Sequence, residues 1–381
     1  CLVGSEMCIR DRSISMVIGI IILLIDYRFW LSTPIIFYGI ILILLVVVLF
    51  MSGTNGATSW IPIGPFKLQP SEFAKVTTSL LLAKYMDEHR VKIGMNQKTL
   101  FTSLIILIPM LLILAQNETG TVLVFTCFVI VLYREGLTAI IPLLGISMAA
   151  ITYSYLYLGL EETRNILIII ATIAIGRNLF LTKKFNKIIV YIILGLILSL
   201  LFLYSIELII TEIMKPHHRA RIYALVDPEK YSSTYGYQPL NAMRTFGHGG
   251  FTGTGHLKGD LTQLGLVPEQ FTDFILCTIG EEHGWLGILV TIVLYIFFLS
   301  RLIIIAERQK AAFARIYGYS VACILFFHFM INIGMEISFL PVIGIPLPML
   351  SYGGSSLWAF TILVFILLKF DLHKGEILAR K

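Results

Sequence analysis

The sequence predicts an all-α polytopic membrane protein, and three observations carry that prediction. Of its 381 residues, 57% are hydrophobic and 14% charged. A soluble domain has about 45–50% apolar and about 25% charged residues. A water-soluble fold could not hide this much apolar surface. The apolar residues also cluster into runs such as Ile35–Met51, Ile188–Ile206 and Leu286–Leu299. With a turn of flanking sequence, each approaches the ~20 residues that cross a bilayer as helix. Finally, the runs are continuous and lack period-two alternation, which excludes a β-barrel.

About eleven helical segments follow along the chain. The first, 14–25, is short for a span. It follows CLVGSEMCIRDR, which is neither a signal nor a transit peptide and resembles translated adapter sequence. Residues 1–12 are therefore expected to be non-native, with at least one native helix lost before them. Residues 13–381 are expected to form a single membrane domain. Segments 35–51, 99–115 and 119–133 are apolar runs, whereas 71–86 is the most polar of the set. Segments 137–158, 164–180 and 188–208 continue the series, and 285–306, 311–333 and 354–370 close it.

Basic residues set the orientation, because short cytoplasmic loops collect Lys and Arg. Four clusters fall on one side when the segments alternate: Lys84, Arg90, Lys92 and Lys98; Arg177, Lys183, Lys184 and Lys187; Arg301, Arg308, Lys310 and Arg315; and the tail from Lys369 to Lys381. The opposite short loops carry almost none, Lys67 and Arg164 being the exceptions, and Gly334–Gly353 has no Lys or Arg. The clustered side is read as cytoplasmic. This explains the net charge of +6 without nucleic acid. A loop at about 209–273 lies on the outer side with six basic residues. A loop that long in a compact bundle is usually functional. Five cysteines without metal-like spacing support neither a disulfide framework nor a zinc site.

Three outer stretches have unusual composition. They are NGATSWIPIGPFKLQPSEFAK from Asn55; the region Lys215–Glu282, with KPHHRARIYALVDPE, a glycine-rich run and PEQFTDFILCTIGEEHG; and HFMINIGMEISFLPVIGIPLPMLSYGGSS from His328. Together they resemble the SEDS family of cell-wall polymerases (shape, elongation, division, sporulation), in family order from about residue 35 onward. GATSW and CTIGEEHGWLG resemble the RodA branch more than the FtsW branch. Departures are Ser59 where many members have Arg, Phe271 where His is usual, Ser338 where Gly is common, His217–His218 for a Tyr-Gln pair, and Ile343 for a polar residue. The family has ten helices, so eleven with one lost implies a two-helix insertion around 160–208.

The resemblance implies polymerisation of lipid II, an undecaprenyl-diphosphate disaccharide-peptide, into glycan strands during cell elongation. It further implies a class B penicillin-binding protein as transpeptidase partner, the bacterial inner membrane as location and an extracytoplasmic active face. Inversion from an α-linked donor to a β-linked product needs one base and no covalent intermediate. Asp273 is the candidate base. It ends the polar loop just before the apolar Phe274–Ile279, where partial desolvation raises a carboxyl toward the working pH. The bland alternative is an N-cap of the helix that follows.

Substrate-binding candidates are Trp60, Glu72, Lys75, Arg219, Arg221 and Glu269. Glu72 and Lys75, three apart on one helix, form a structural pair, a diphosphate holder, or both at once. Arg219 and Arg221 are either phosphate clamps or solvated loop charges. Trp60 is either an interfacial belt residue or a sugar-stacking one. His328 and Asn332 read as interhelical hydrogen-bonding residues. The glycine-rich Gly247–Gly259 follows no strand and is not a nucleotide loop. Glu269, Glu281 and Glu282 suggest a divalent cation, Mg or Mn, as the cofactor such carboxylates would take. Rival readings are a lipid II flippase or transporter, an FtsW-type division polymerase, and a scaffold without catalytic dependence on any carboxylate.

Overall fold

The structure, a computed structural model, describes residues 6–51, 59–64, 66–89, 97–182, 186–214, 216–231 and 236–379. Most of the GATSW motif, and Arg90, Lys92, Lys183, Lys184, Lys215, Arg380 and Lys381 of the charge pattern, lie outside the described residues, as do the side chains of His217 and His218. The chain divides into two compact units, 1–137 with 241–381, and 138–240.

In the first unit the elements run α1 (Glu6–Leu24), α2 (Tyr27–Ser32), α3 (Pro34–Leu49), the antiparallel hairpin β1 (Ile61–Ile63) and β2 (Phe66–Leu68), α4 (Pro70–Glu88), α5 (Gln97–Ala115), α6 (Thr119–Phe125) and α7 (Phe128–Arg134). Ile61 pairs with Leu68 across the hairpin. Proline at the first helical position starts both α3 and α4, where its missing N–H is not needed. The short first segment of the sequence is part of a longer helix, α1. Its polar start is packed in: Asp11 is buried, and Trp358 Nε1 donates to the Asp11 carbonyl at 3.3 Å.

The second unit holds α8 (Ile140–Thr182), α9 (Lys187–Leu208), which runs into a π turn at Ile209–Ile213, and α10 (Pro216–Val226). The backbone of α8 leaves helical geometry at Gly159 (φ 84°, ψ 176°). Ser154 and Thr163 hydroxyls lie 3.1 Å apart, although nine residues of straight helix would separate them by about 13 Å. The chain therefore folds back at Gly159 into two arms, matching segments 137–158 and 164–180. Ile151, Leu203, Ile206 and Ile210 form the core of this unit.

The chain then continues with α11 (Tyr237–Gly249), α12 (Asp260–Gln263), α13 (Ile275–Glu307), α14 (Ala312–Glu336), α15 (Gly354–Leu372) and α16 (Lys374–Ala379). Helix α13 breaks at Gly284 (φ 65°, ψ −165°). A Cβ on Gly287 would lie 3.3 Å from Ile279 Cγ2, a closeness that eight residues of straight helix forbid. Ile275–His283 is thus a short re-entrant arm folded against the arm 285–307, which corresponds to the apolar segment 285–306.

Six helices among the described residues are long and apolar enough to cross a membrane, with α8 counted as one. The polar helix α4 packs against α3, α5, α14 and α15. Thirteen of its nineteen residues are buried, including Ser71, Glu72, Lys75, Thr78 and Ser79. Large apolar side chains such as Leu111, Leu201 and Phe297 are exposed instead. Lipid solvates those side chains, so the polar helix belongs inside the bundle.

Candidate active site

Asp273 sits in a tight turn at the start of α13. The Glu269 carbonyl accepts from the N–H groups of Thr272, Asp273 and Phe274 at 3.2, 3.0 and 3.3 Å, with Glu269 itself at φ 55°. The turn is held from outside by α14, where Asn332 Nδ2 donates to the Asp273 carbonyl (2.7 Å) and to the Ile345 carbonyl (2.8 Å). A Cβ on Gly344 would stand 3.2 Å from Asp273 Oδ2, so the 343–348 loop lies against the carboxyl. Asp273 is half-buried. Burial, reinforced by the like charge of Glu269 and opposed by the Thr272 hydroxyl, pushes its carboxyl up to about 7.

The side chain does not cap α13. The N-cap is Phe274, without a side-chain bond, and the capping group arrives from α14. The buried Glu336 accepts from Leu276 N–H at 3.2 Å and from the Cys277 thiol at 3.3 Å. His328, Asn332 and Glu336 recur every four residues and so line one face of α14. Sequence reasoning passed over Glu336. Its signal was an acidic residue between two apolar stretches, costly at membrane depth without a partner.

The same face holds the buried pair on α4. Lys75 Nζ donates to both Glu72 oxygens at 2.9 Å and lies 2.7 Å from His328 Nε2. His328 Nδ1 is 3.3 Å from the Pro346 carbonyl. A carbonyl cannot donate, so Nδ1 carries the proton and Nε2 accepts from the ammonium. The Phe360 ring lies 5.5 Å from Nζ. This is the geometry of the structural pair, bracing α4 against α14. For Lys75 to hold a diphosphate, the ammonium would have to leave these partners. Along α14 the Lys75 and Asp273 attachments are one turn apart, about 6 Å.

A further carboxyl, also missed from sequence, joins this network. Glu118, just before α6, accepts from Ser71 (3.0 Å), Thr121 (2.8 Å) and the Gln69 amide. Burial pushes it up to about 7, against the pull of the two hydroxyls. Ser355 in SYGGSS ties the hairpin to α4, donating to the Lys67 carbonyl at 2.7 Å and accepting from Gln69 N–H at 3.2 Å.

The other expected site residues are placed as follows. Trp60 is 42% exposed at the edge of the hairpin. Glu269 is exposed and accepts from the Thr272 hydroxyl at 3.0 Å. Arg219, in the second unit, donates to the Thr211 carbonyl of the π turn, while Arg221 is exposed on α10. The carboxylates considered for Mg or Mn do not form one constellation. Glu281 accepts from Leu261 N–H (2.8 Å), Thr262 N–H (2.9 Å) and His248 Nδ1 (3.0 Å). Glu282 pairs with His256 Nδ1 at 3.1 Å.

Fold and site together define a multi-pass membrane protein in which a half-buried carboxyl, Asp273, lies beside a buried polar network linking its helices. The family model described as cell cycle protein, covering FtsW, RodA and SpoVE, matches residues 9–170 and 165–376, and the chain belongs to this family. A peptidoglycan glycosyltransferase RodA from Treponema pallidum (strain Nichols) is 30% identical, with 93% of this chain and 87% of that protein aligned. The peptidoglycan glycosyltransferase MrdB of Escherichia coli K12 is 28% identical over 93% and 83% of the two chains. Crystalline RodA of Thermus thermophilus has the same fold, with TM-score 0.60 at 20% identity over 98% and 90% of the chains. So does a chain from a peptidoglycan synthase complex studied for its coordination of polymerization and crosslinking, with TM-score 0.69 at 22% identity over 97% and 89%.

Proposed function

We propose that this protein is a peptidoglycan glycosyltransferase that polymerises lipid II during cell elongation, with Asp273 as its base. One observation carries the assignment of the base: a half-buried carboxyl poised at about 7 and free of capping duty. A base is most effective when its proton affinity lies near the working pH. Asp273 takes the proton of the acceptor GlcNAc 4-hydroxyl as that oxygen attacks the donor anomeric carbon. The bond from that carbon to the diphosphate oxygen breaks, and the lipid diphosphate leaves with the electron pair.

Asn332 and the 269–274 turn fix the position of the base. Glu336 takes over the cap, and the Glu72–Lys75–His328 cluster keeps α4 and α14 in register behind it. Trp60, exposed at the edge of the hairpin, is the candidate for sugar contact. The Lys and Arg distribution supports an inner-membrane protein whose Asp273 faces outward. The partner that fits is a class B penicillin-binding protein, which would crosslink the strands.

Purified chain, labelled lipid II and that partner test the reading together. Polymer from the wild type, and polymerisation about 10²–10⁴ slower from Asp273→Asn, is expected. Translocation of lipid II without polymer would identify a flippase, and neither activity a scaffold.

A further inference from the structure

Away from Asp273, the glycine-rich loop meets the break in α13. Thr254 N–H donates to the Glu281 carbonyl (2.9 Å), Gly255 N–H to the Glu282 carbonyl (3.0 Å), and Trp285 N–H to the Gly250 carbonyl (3.0 Å). The backbones can approach this closely because Gly253 lacks a Cβ, which would stand 2.2 Å from the Glu282 carbonyl oxygen. This docking brings His256 to Glu282, while the turn at Gly284 sets His283 beside both. The ligand atoms of His256, Glu282 and His283 all lie within 4.8 Å of one another. They are the group among the described residues with metal-ligand spacing.

The geometry points to a zinc-type metal site made by His256, Glu282 and His283. Two imidazoles and one carboxylate are a donor set for Zn²⁺, whereas Mg²⁺ prefers an octahedron of oxygens. Tetrahedral Zn²⁺ with bonds of about 2.0–2.1 Å places its ligands about 3.3 Å apart, close to the 3.1 Å between His256 Nδ1 and Glu282 Oε2. Glu282 is 4% exposed, so it supplies a buried anion that faces the two imidazoles. Both imidazoles are exposed, which gives an ion a way in and leaves its fourth position to water. The ion would staple the loop to the re-entrant arm that begins two residues after Asp273. Glu281, bonded to Leu261 and Thr262, fixes the same loop from the other side of the chain.

The test uses the untagged full chain in detergent, stripped with chelator and titrated with Zn²⁺ against a chromophoric competitor. One equivalent bound with Kd below about 1 μM is expected, weakened about 100-fold or more in His256→Ala/His283→Ala and about 10–100-fold in Glu282→Gln. Co²⁺ substituted into the wild type should give the intense visible absorption of a tetrahedral site with nitrogen ligands. Three results would overturn the site: absence of stoichiometric binding tighter than about 10 μM, undiminished binding in the double histidine variant, or a weak octahedral Co²⁺ spectrum. Binding lost only in His217→Ala/His218→Ala would overturn it too. Because the Co²⁺ spectrum reads the wild type alone, an octahedral one overturns the site even if a variant misfolds.

Discussion

Asp273→Asn should separate stability from catalysis. The variant keeps the shape of the side chain, and no cap is lost because Glu336 performs that role. In the wild type the carboxyl lies at about 7 instead of 3.8. The folded protein therefore retains a proton that the unfolded chain has released. Between those two values stability falls as pH rises; it is fully present below 3.8 and its loss is complete above about 7. The displacement corresponds to at most about 4 kcal/mol, and solvent at the half-buried site reduces it. Asparagine is neutral throughout. The variant should thus unfold at a higher temperature than the wild type at pH 8, and at nearly the same temperature at pH 4. Polymerisation should fall by about 10²–10⁴, the usual contribution of a general base. The wild-type rate should drop about tenfold per pH unit below 7, where the carboxylate fraction disappears. Lipid II polymerisation and thermal unfolding across pH measure both sides. Wild-type rates in the variant, or a melting difference independent of pH, would refute the reasoning.

Three further perturbations test the network around this carboxyl. Lys75→Met leaves Glu72 buried without its cation and should destabilise by about 3–5 kcal/mol; Glu72→Gln added to it should restore most of the stability, read by thermal unfolding. Glu336→Ala orphans the Leu276 N–H at a cost of about 1–3 kcal/mol, and a loosened turn should lower kcat about tenfold or more. Glu336→Gln, which can still accept that bond, should recover most of both. Ser338 stands at φ 57° with its buried hydroxyl unpartnered. Ser338→Gly should therefore raise stability by about 1 kcal/mol with activity unchanged, and a lower melting temperature would count against the reading.

The glycine usual in the family at position 338 was visible as a departure in the sequence, but only the left-handed backbone there explains why glycine suits it. Asp273 was similarly half legible. Its place at the edge of an apolar run marked it as costly, but the run could not say whether the carboxylate caps a helix or remains available. The competing capping group is Glu336, 60 residues further on from Leu276, whose N–H it accepts. For Lys75, a cation three residues from Glu72 read equally as a pair or a ligand. The His328 that it meets besides Glu72 is 253 residues away. Segment 71–86 was located correctly, and its polarity acquires meaning only from the neighbours that enclose it.

By itself the sequence determined the membrane class, the positions of the long apolar helices and the motifs that place the chain in its family, whereas the stretch read as a loop at 209–273 holds a π turn and the short helices α10, α11 and α12. Each of these is written in local composition, because hydropathy over some twenty residues decides whether a helix can lie in lipid. The tertiary structure decided which polar groups are partnered, where α8 and α13 turn back, and which histidines meet Glu282. Those outcomes depend on backbone breaks and on contacts between distant residues. A buried charge finds its partner in space, and nothing in the neighbouring letters says which residue that will be.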